Sequence, residues 1–149
     1  MIASPEMPAF ETDPRLLANS LAVGSWELCD VRLMDDARFP WLVLIPRVAG
    51  ASELDAVPAA DQPVLMAEMI RAGDLVRRLG EAMDLAVDKV NTAALGNVTA
   101  QLHIHVVGRR RSDPLWPDPI WGRDGRMPLG DAEHARLARA AAKVKSFGK

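Results

Sequence analysis

The sequence predicts an α+β domain: a mostly antiparallel sheet with one long helix packed on it and a further helix at the C-terminus. Three stretches carry this expectation. Trp41-Leu42-Val43-Leu44-Ile45 is a continuous apolar block shut in by Pro40 and Pro46, the pattern of a strand buried on both faces. Beyond Asp61, the residues Leu65, Met66, Met69, Ile70, Leu75, Val76 and Leu79 recur mostly at intervals of three and four, which gathers them on one face of a long helix. Gln101-Leu102-His103-Ile104-His105-Val106-Val107 alternates, so an extended chain turns Leu102, Ile104 and Val106 to a core and Gln101, His103 and His105 to the opposite face. With 149 residues, 49% of them hydrophobic, the chain is the size of one domain with a substantial core.

The elements follow in order. Residues 1–12 hold Pro5 and Pro8 and no period, and read as a flexible lead-in. Asp13-Pro14 is an N-cap followed by proline at the first helical position, opening a short helix through Leu16, Leu17 and Leu21 that ends near Gly24. Trp26 to Leu33 alternates loosely as a strand, and the polar connection from Met34 to Pro40 makes a hairpin of it with the Trp41 block. After a loop, Asp61 caps the long helix, which Gly80 kinks or ends. Lys89 to Leu95, with β-branched Val90 and Thr92, is a further strand that leads through Gly96-Asn97 into the histidine strand.

Past Gly108 the character changes. Arg109-Arg110-Arg111 is followed by Pro114, Pro117 and Pro119, which rule out a central strand or a helix interior, so this stretch reads as an ordered arm stapled by Trp116 and Trp121. Asp131 opens a last helix from Ala132 to about Val144, rich in alanine, arginine and lysine. Residues 13–112 thus form the main body, and the arm and helix over 113–149 belong to the same domain.

A net charge of −2 gives no reason to expect nucleic acid or an anionic membrane as a partner, so any anion site is local. The single Cys29 makes no intramolecular disulfide, and there is neither a leader-like apolar segment nor a spanning run, so a soluble, reduced, cytoplasmic protein is the simplest account.

Two of the three histidines therefore sit one pleat apart on a polar row, an arrangement that asks for a use or a partner. A neutral imidazole, with an ordinary pKa near ~6.5, is a competent nucleophile toward phosphorus. A second, protonated imidazole beside it can give a proton to a leaving group, a contribution of roughly 10²–10⁴ in rate. Gln101 adds an uncharged amide able to hold a phosphate oxygen or orient a ring. The same His-x-His pair also suits a zinc ion, although no further ligand lies at short spacing, and it also suits a purely structural pair in a polar groove. The arginine run either draws in a polyphosphate or forms a solvated face, and Trp116 and Trp121 either stack on a base or pack on protein. His134, between Glu133 and Arg136 on the last helix, reads as exposed and idle.

The stretch from Gln101 to Val107 resembles the signature of the histidine triad superfamily of nucleotide hydrolases and transferases, His-x-His-x-His followed by two apolar residues, with glutamine at the first position. Phe39 to Pro46 is similar to that family's apolar strand ending in proline, and Asn91 to Asn97 to its approach to the motif. The segment from Trp116 to Gly122 is similar to one found in a glutamine-first bacterial branch. The resemblance covers roughly residues 12 to 112. It implies cleavage of a phosphoanhydride or phosphoramidate bond at an α-phosphate through a nucleotidyl-histidine intermediate, with no cofactor or metal required. His103 would be the nucleophile and His105 the phosphate or leaving-group contact, with Asn91, Asn97 and Gln101 binding the substrate. The implied partners are a nucleotide or dinucleoside polyphosphate and a second copy of the chain in a homodimer. A further family histidine, on the earlier strand, is replaced by Trp41. That departure, with glutamine at the first motif position, keeps a non-catalytic nucleotide-binding module open as the alternative.

Overall fold

The computed structural model describes residues 8–144. Its elements run α1 (Pro14–Leu17), β1 (Ser20–Ser25), β2 (Cys29–Met34), β3 (Trp41–Pro46), a single 3₁₀ turn (Leu54–Ala56), α2 (Gln62–Ala82), β4 (Lys89–Ala93), β5 (Ile104–Arg109) and α3 (Asp131–Lys143). The strands form one antiparallel sheet in the order β1-β2-β3-β5-β4, so the fold is the α+β arrangement expected.

The two sides of this sheet are covered by different things, and that decides where the site lies. Leu42 and Leu44 of β3, with Ile104 and Val106 of β5, face a core shared with Leu65, Ala72, Leu75, Val76 and Leu79 of α2 and Leu137, Ala138 and Ala141 of α3. On the other side, Val107 joins Phe39 and Ile120 in a smaller cluster against which Trp41, Leu115 and Trp121 pack. β3 is therefore buried front and back, as its unbroken apolar run requires. The arm after β5 is the second cover.

Several sequence expectations need correction. The first helix stops at Leu17, and Ser20–Ser25 is not its continuation but the edge strand β1, which pairs Leu21 with Leu33 of β2. Sheet pairing and the inward turn of Ser20 and Val23 outweigh the helical spacing of Leu16, Leu17 and Leu21. The histidine strand begins at Ile104 rather than Gln101, because the Leu102 N–H bonds the Ala51 carbonyl instead of a neighbouring strand. Asp61 precedes α2, but its side chain makes no capping bond. Residues 1–7 of the expected lead-in lie outside the described residues.

α2 runs two residues past Gly80, where the missing side chain lets the last turn of the helix press on residues 85–87 that lead into β4. A Cβ there would lie 2.5 Å from the Leu85 carbonyl oxygen and 2.7 Å from Val87, and one at Gly108 of β5 would lie 2.6 Å from the same valine. These contacts are closer than atoms tolerate, so both positions need the missing side chain.

His134 is the largest correction. It is buried, its Nε2–H donates to the Leu33 carbonyl at 2.8 Å, and Nδ1 lies 3.9 Å from Asp35. The ring fastens α3 to the end of β2.

Candidate active site

β5 lies between β3 and β4, so side chains on its outer row meet neighbours from both strands. Trp41, Val107 and Asn91 form one cross-strand row, and Val43, His105 and Ala93 form the next. His103 sits just before the strand and is buried, with its ring edge-on to His105 at a centroid distance of 5.0 Å.

The hydrogen bonds of the two rings assign their protons. His103 Nδ1 lies 2.7 Å from the Gln101 carbonyl oxygen. A carbonyl only accepts, so Nδ1 carries the hydrogen and Nε2 is left with its lone pair. At His105 the arrangement is reversed: the indole Nε1–H of Trp41 donates to Nδ1 at 3.0 Å. Here Nδ1 holds the lone pair and Nε2 the hydrogen. Burial, and then the neighbouring His103, push the His105 pKa down to about 4. At neutral pH the protonated second imidazole expected from the sequence is thus replaced by a neutral ring presenting an N–H.

Two cavities meet at His103. One, of about 310 Å³, is bounded by Ser52 to Asp55, by Ala94 to Gly96 and by Leu102. The other, of about 450 Å³, is bounded by Leu95 to Thr99, His105, Trp121 and Gly122. None of the residues lining either cavity is a lysine or arginine, and Glu53 and Asp55 line the first, so an anionic substrate would find uncharged donors only in the second.

Among the expected site residues, His103, His105 and Asn97 line the same cavity. Asn91 stands two residues from the His105 row, with its Oδ1 accepting from Arg109 at 3.1 Å. The Gln101 amide turns toward the chain start: its Oε1 accepts the Asp13 N–H and its Nε2 donates to the Glu11 carbonyl, each at 2.8 Å. The residue reaches the site through its main-chain carbonyl.

The arginine run is neither a polyphosphate clamp nor a uniformly solvated face. Arg109 is 1% exposed and forks onto Asp113 at 2.8 and 3.0 Å, with Nη1 also bonding the Asp118 carbonyl. Burial works against ionisation of Asp113, but the Arg109 guanidinium and the N–H groups of Arg110 and Leu115 prevail and bring its pKa to about 2. Arg110 donates to the Arg38 carbonyl, while Arg111 is exposed. Trp116 lies over Arg109 and Trp121 beside His105, so both arm tryptophans pack on the protein's own sheet. Sequence reasoning missed this role of Arg109. Its four-residue spacing to Asp113 was the only local signal.

Among the described residues, no group of three or more His, Cys, Asp or Glu side chains converges as a metal site requires, and no helix is long and apolar enough to cross a membrane.

A search of the curated proteins finds no match. Solved structures do match. A histidine triad protein from Sinorhizobium meliloti is 36% identical, covers 91% of this chain and 96% of its own, and superposes with a TM-score of 0.81. Histidine triad proteins from Marinobacter aquaeolei and Bradyrhizobium japonicum are 35% and 33% identical over 91% of this chain and 95% and 97% of theirs, each with a TM-score of 0.81. The HIT domain model matches residues 16–112, the sheet and α2 together with both histidines of the motif. With sheet, paired imidazoles and relatives in agreement, the chain belongs to the histidine triad family, whose members are generally nucleotide hydrolases and transferases.

Proposed function

We propose that the protein cleaves a phosphoanhydride or phosphoramidate bond at the α-phosphate of a nucleotide, with His103 as nucleophile. The observation that carries this reading is the opposed pair of tautomers. His103 Nε2 keeps its lone pair because Nδ1–H is committed to the Gln101 carbonyl, while His105 offers Nε2–H from the neighbouring position. In the first step the Nε2 lone pair attacks the α-phosphorus and forms an N–P bond. The P–O or P–N bond breaks, and the leaving group departs with its electron pair. Water then attacks phosphorus, its proton goes to solvent, and the N–P electrons return to Nε2. His105 Nε2–H supports a phosphate oxygen or the leaving atom during both steps. Asn97, which lines the same cavity, would hold substrate, with Asn91 beside the His105 row, and Gln101 would contribute the carbonyl that orients the nucleophile.

The test compares wild type with His103→Ala on dinucleoside polyphosphates and adenosine phosphoramidates, with acid quench of labelled substrate to trap the covalent form. Turnover and acid-labile label in wild type, and loss of both in the variant by at least about 10³-fold, are expected. Equal turnover by the two proteins removes His103 from the mechanism.

A second reading is favoured by Trp41 and by the engagement of the Gln101 amide with residues 11–13: a non-catalytic nucleotide-binding module. Calorimetric binding of nucleotide with no product and no trapped label would select it. A metal-dependent route predicts that a chelator abolishes activity; the histidine nucleophile predicts that activity survives.

We also propose a homodimer. β4 is an edge strand, and beside it α2 exposes Met66 and Ile70 along a groove that includes Val90 and Thr92. A second copy supplies both an apolar helix face and a strand edge to match.

A further inference from the structure

We infer that Trp41 is a positioning residue whose indole N–H fixes the tautomer of His105 and makes that ring a standing N–H donor toward substrate rather than an acid. The inference deepens the proposed function and rests on it for the role toward substrate, while the tautomer itself stands on geometry alone.

Trp41 lies on β3 opposite Val107, so His105 is its diagonal neighbour across the strand pair, close enough for the 3.0 Å bond from Nε1 to Nδ1. An indole has one N–H and no acceptor, so a second proton on His105 would set N–H against N–H. The imidazolium can form only if one ring moves. Such a movement is restricted on the two sides where indoles flank His105. His105 is flanked by Trp41 at 5.6 Å and by Trp121 at 5.7 Å between ring centroids, and both indoles pack against the cluster of Phe39, Val107 and Ile120.

The surroundings supply nothing that would favour the cation instead. The groups facing His105 are Trp41 and Val43 from β3, Ala93 from β4, Trp121 from the arm, and His103 from its own segment. His103 is the one titratable group among them, and its Nδ1–H is already given to the Gln101 carbonyl. A histidine that must become an imidazolium is ordinarily braced at Nδ1 by an acceptor such as a carboxylate or carbonyl. Trp41 braces it with a donor, which selects the opposite state. The leaving group must then depart as an anion or take its proton from solvent, because His105 Nε2–H of a neutral ring is far too weak an acid to give it one.

Long-range ¹⁵N correlation spectra of the full chain test this directly. In wild type His105 is expected to show hydrogen on Nε2, a bare Nδ1 and no titration between about pH 5 and 8, and His103 the opposite tautomer. Trp41→Phe keeps an aromatic ring without the N–H: His105 should become a mixture of tautomers and titrate closer to its ordinary ~6.5, while His103 keeps its tautomer. The variant's pH–rate profile should gain a limb in the same range. A wild-type His105 with hydrogen on Nδ1, or one titrating near 6.5, overturns the inference even if the variant does not fold. An unchanged His105 tautomer in folded Trp41→Phe overturns it too. A shifted tautomer with an unaltered rate profile overturns the role toward substrate. Failure of the nucleophile reading is distinct, since it shows in the trapping of His103 and leaves these spectra as they are.

Discussion

Burial of His105 couples β5 to the pH dependence of folding. Its pKa falls from the unfolded ~6.5 to about 4 in the folded chain, so between those values the unfolded state binds the extra proton. The stability tied to the neutral ring is complete above pH 6.5 and is lost as pH falls toward 4, with a full amplitude on the order of 3 kcal/mol. Urea unfolding at pH 7.5 and 4.5 should show that loss in wild type and a smaller one in His105→Asn, which has no imidazole to titrate. Singling out His103 and His105 needed only the alternation around them, because in an extended chain residues two apart fall on one side. The state of each ring was not legible: His105 depends on Trp41, 64 positions away, and that pairing exists only once β3 and β5 are in register. His134 misled for the same reason. Nothing near it in an alanine-rich helix signals the Leu33 carbonyl 101 residues earlier.

The arm after β5 is held by one buried ion pair. Arg109 closes the strand, Asp113 turns the chain through bonds to the Arg110 and Leu115 N–H groups, and the Asp118 carbonyl returns to the same guanidinium. Asp113→Ala leaves a buried cation without its carboxylate, which costs about 3–5 kcal/mol. Chemical unfolding should register that loss, and near-ultraviolet dichroism should show the arm tryptophans losing their fixed setting. Three closely spaced prolines were enough to show that this segment is neither helix nor central strand, since each lacks an N–H for a ladder. They did not reveal what it covers. The long helix and β3 were placed correctly because their patterns are unbroken, although Met66 and Ile70, expected on the helix's packed face, lie exposed; α1 and β1 share a stretch too short for either period to prevail.

At the level of the whole molecule, one sheet separates the main core from the candidate site. α2 and α3 pack one face, and the two histidines with the arm and its smaller buried cluster occupy the other. The proposed pairing of two copies uses neither: it falls at the β4 edge and the outer side of α2. Ile70→Glu, at a side chain that is 63% exposed in the single chain, should leave folding intact and convert a dimer to a monomer in sedimentation velocity. A wild type that sediments as a monomer at tens of micromolar would remove the homodimer. The overall class was legible from composition and periodicity, but the order β1-β2-β3-β5-β4 was not, because which strands become neighbours is settled by packing between segments far apart in the chain.

The two indoles that flank His105 also give the protein an optical handle on its own cleft. The chain has four tryptophans and no tyrosine, so its near-ultraviolet emission comes from indole alone, and half of those indoles touch one imidazole. Trp121 lines the cavity as well. If the proposed function holds, nucleotide entry should change that emission, so binding can be tested in real time in the unmodified protein and without a label.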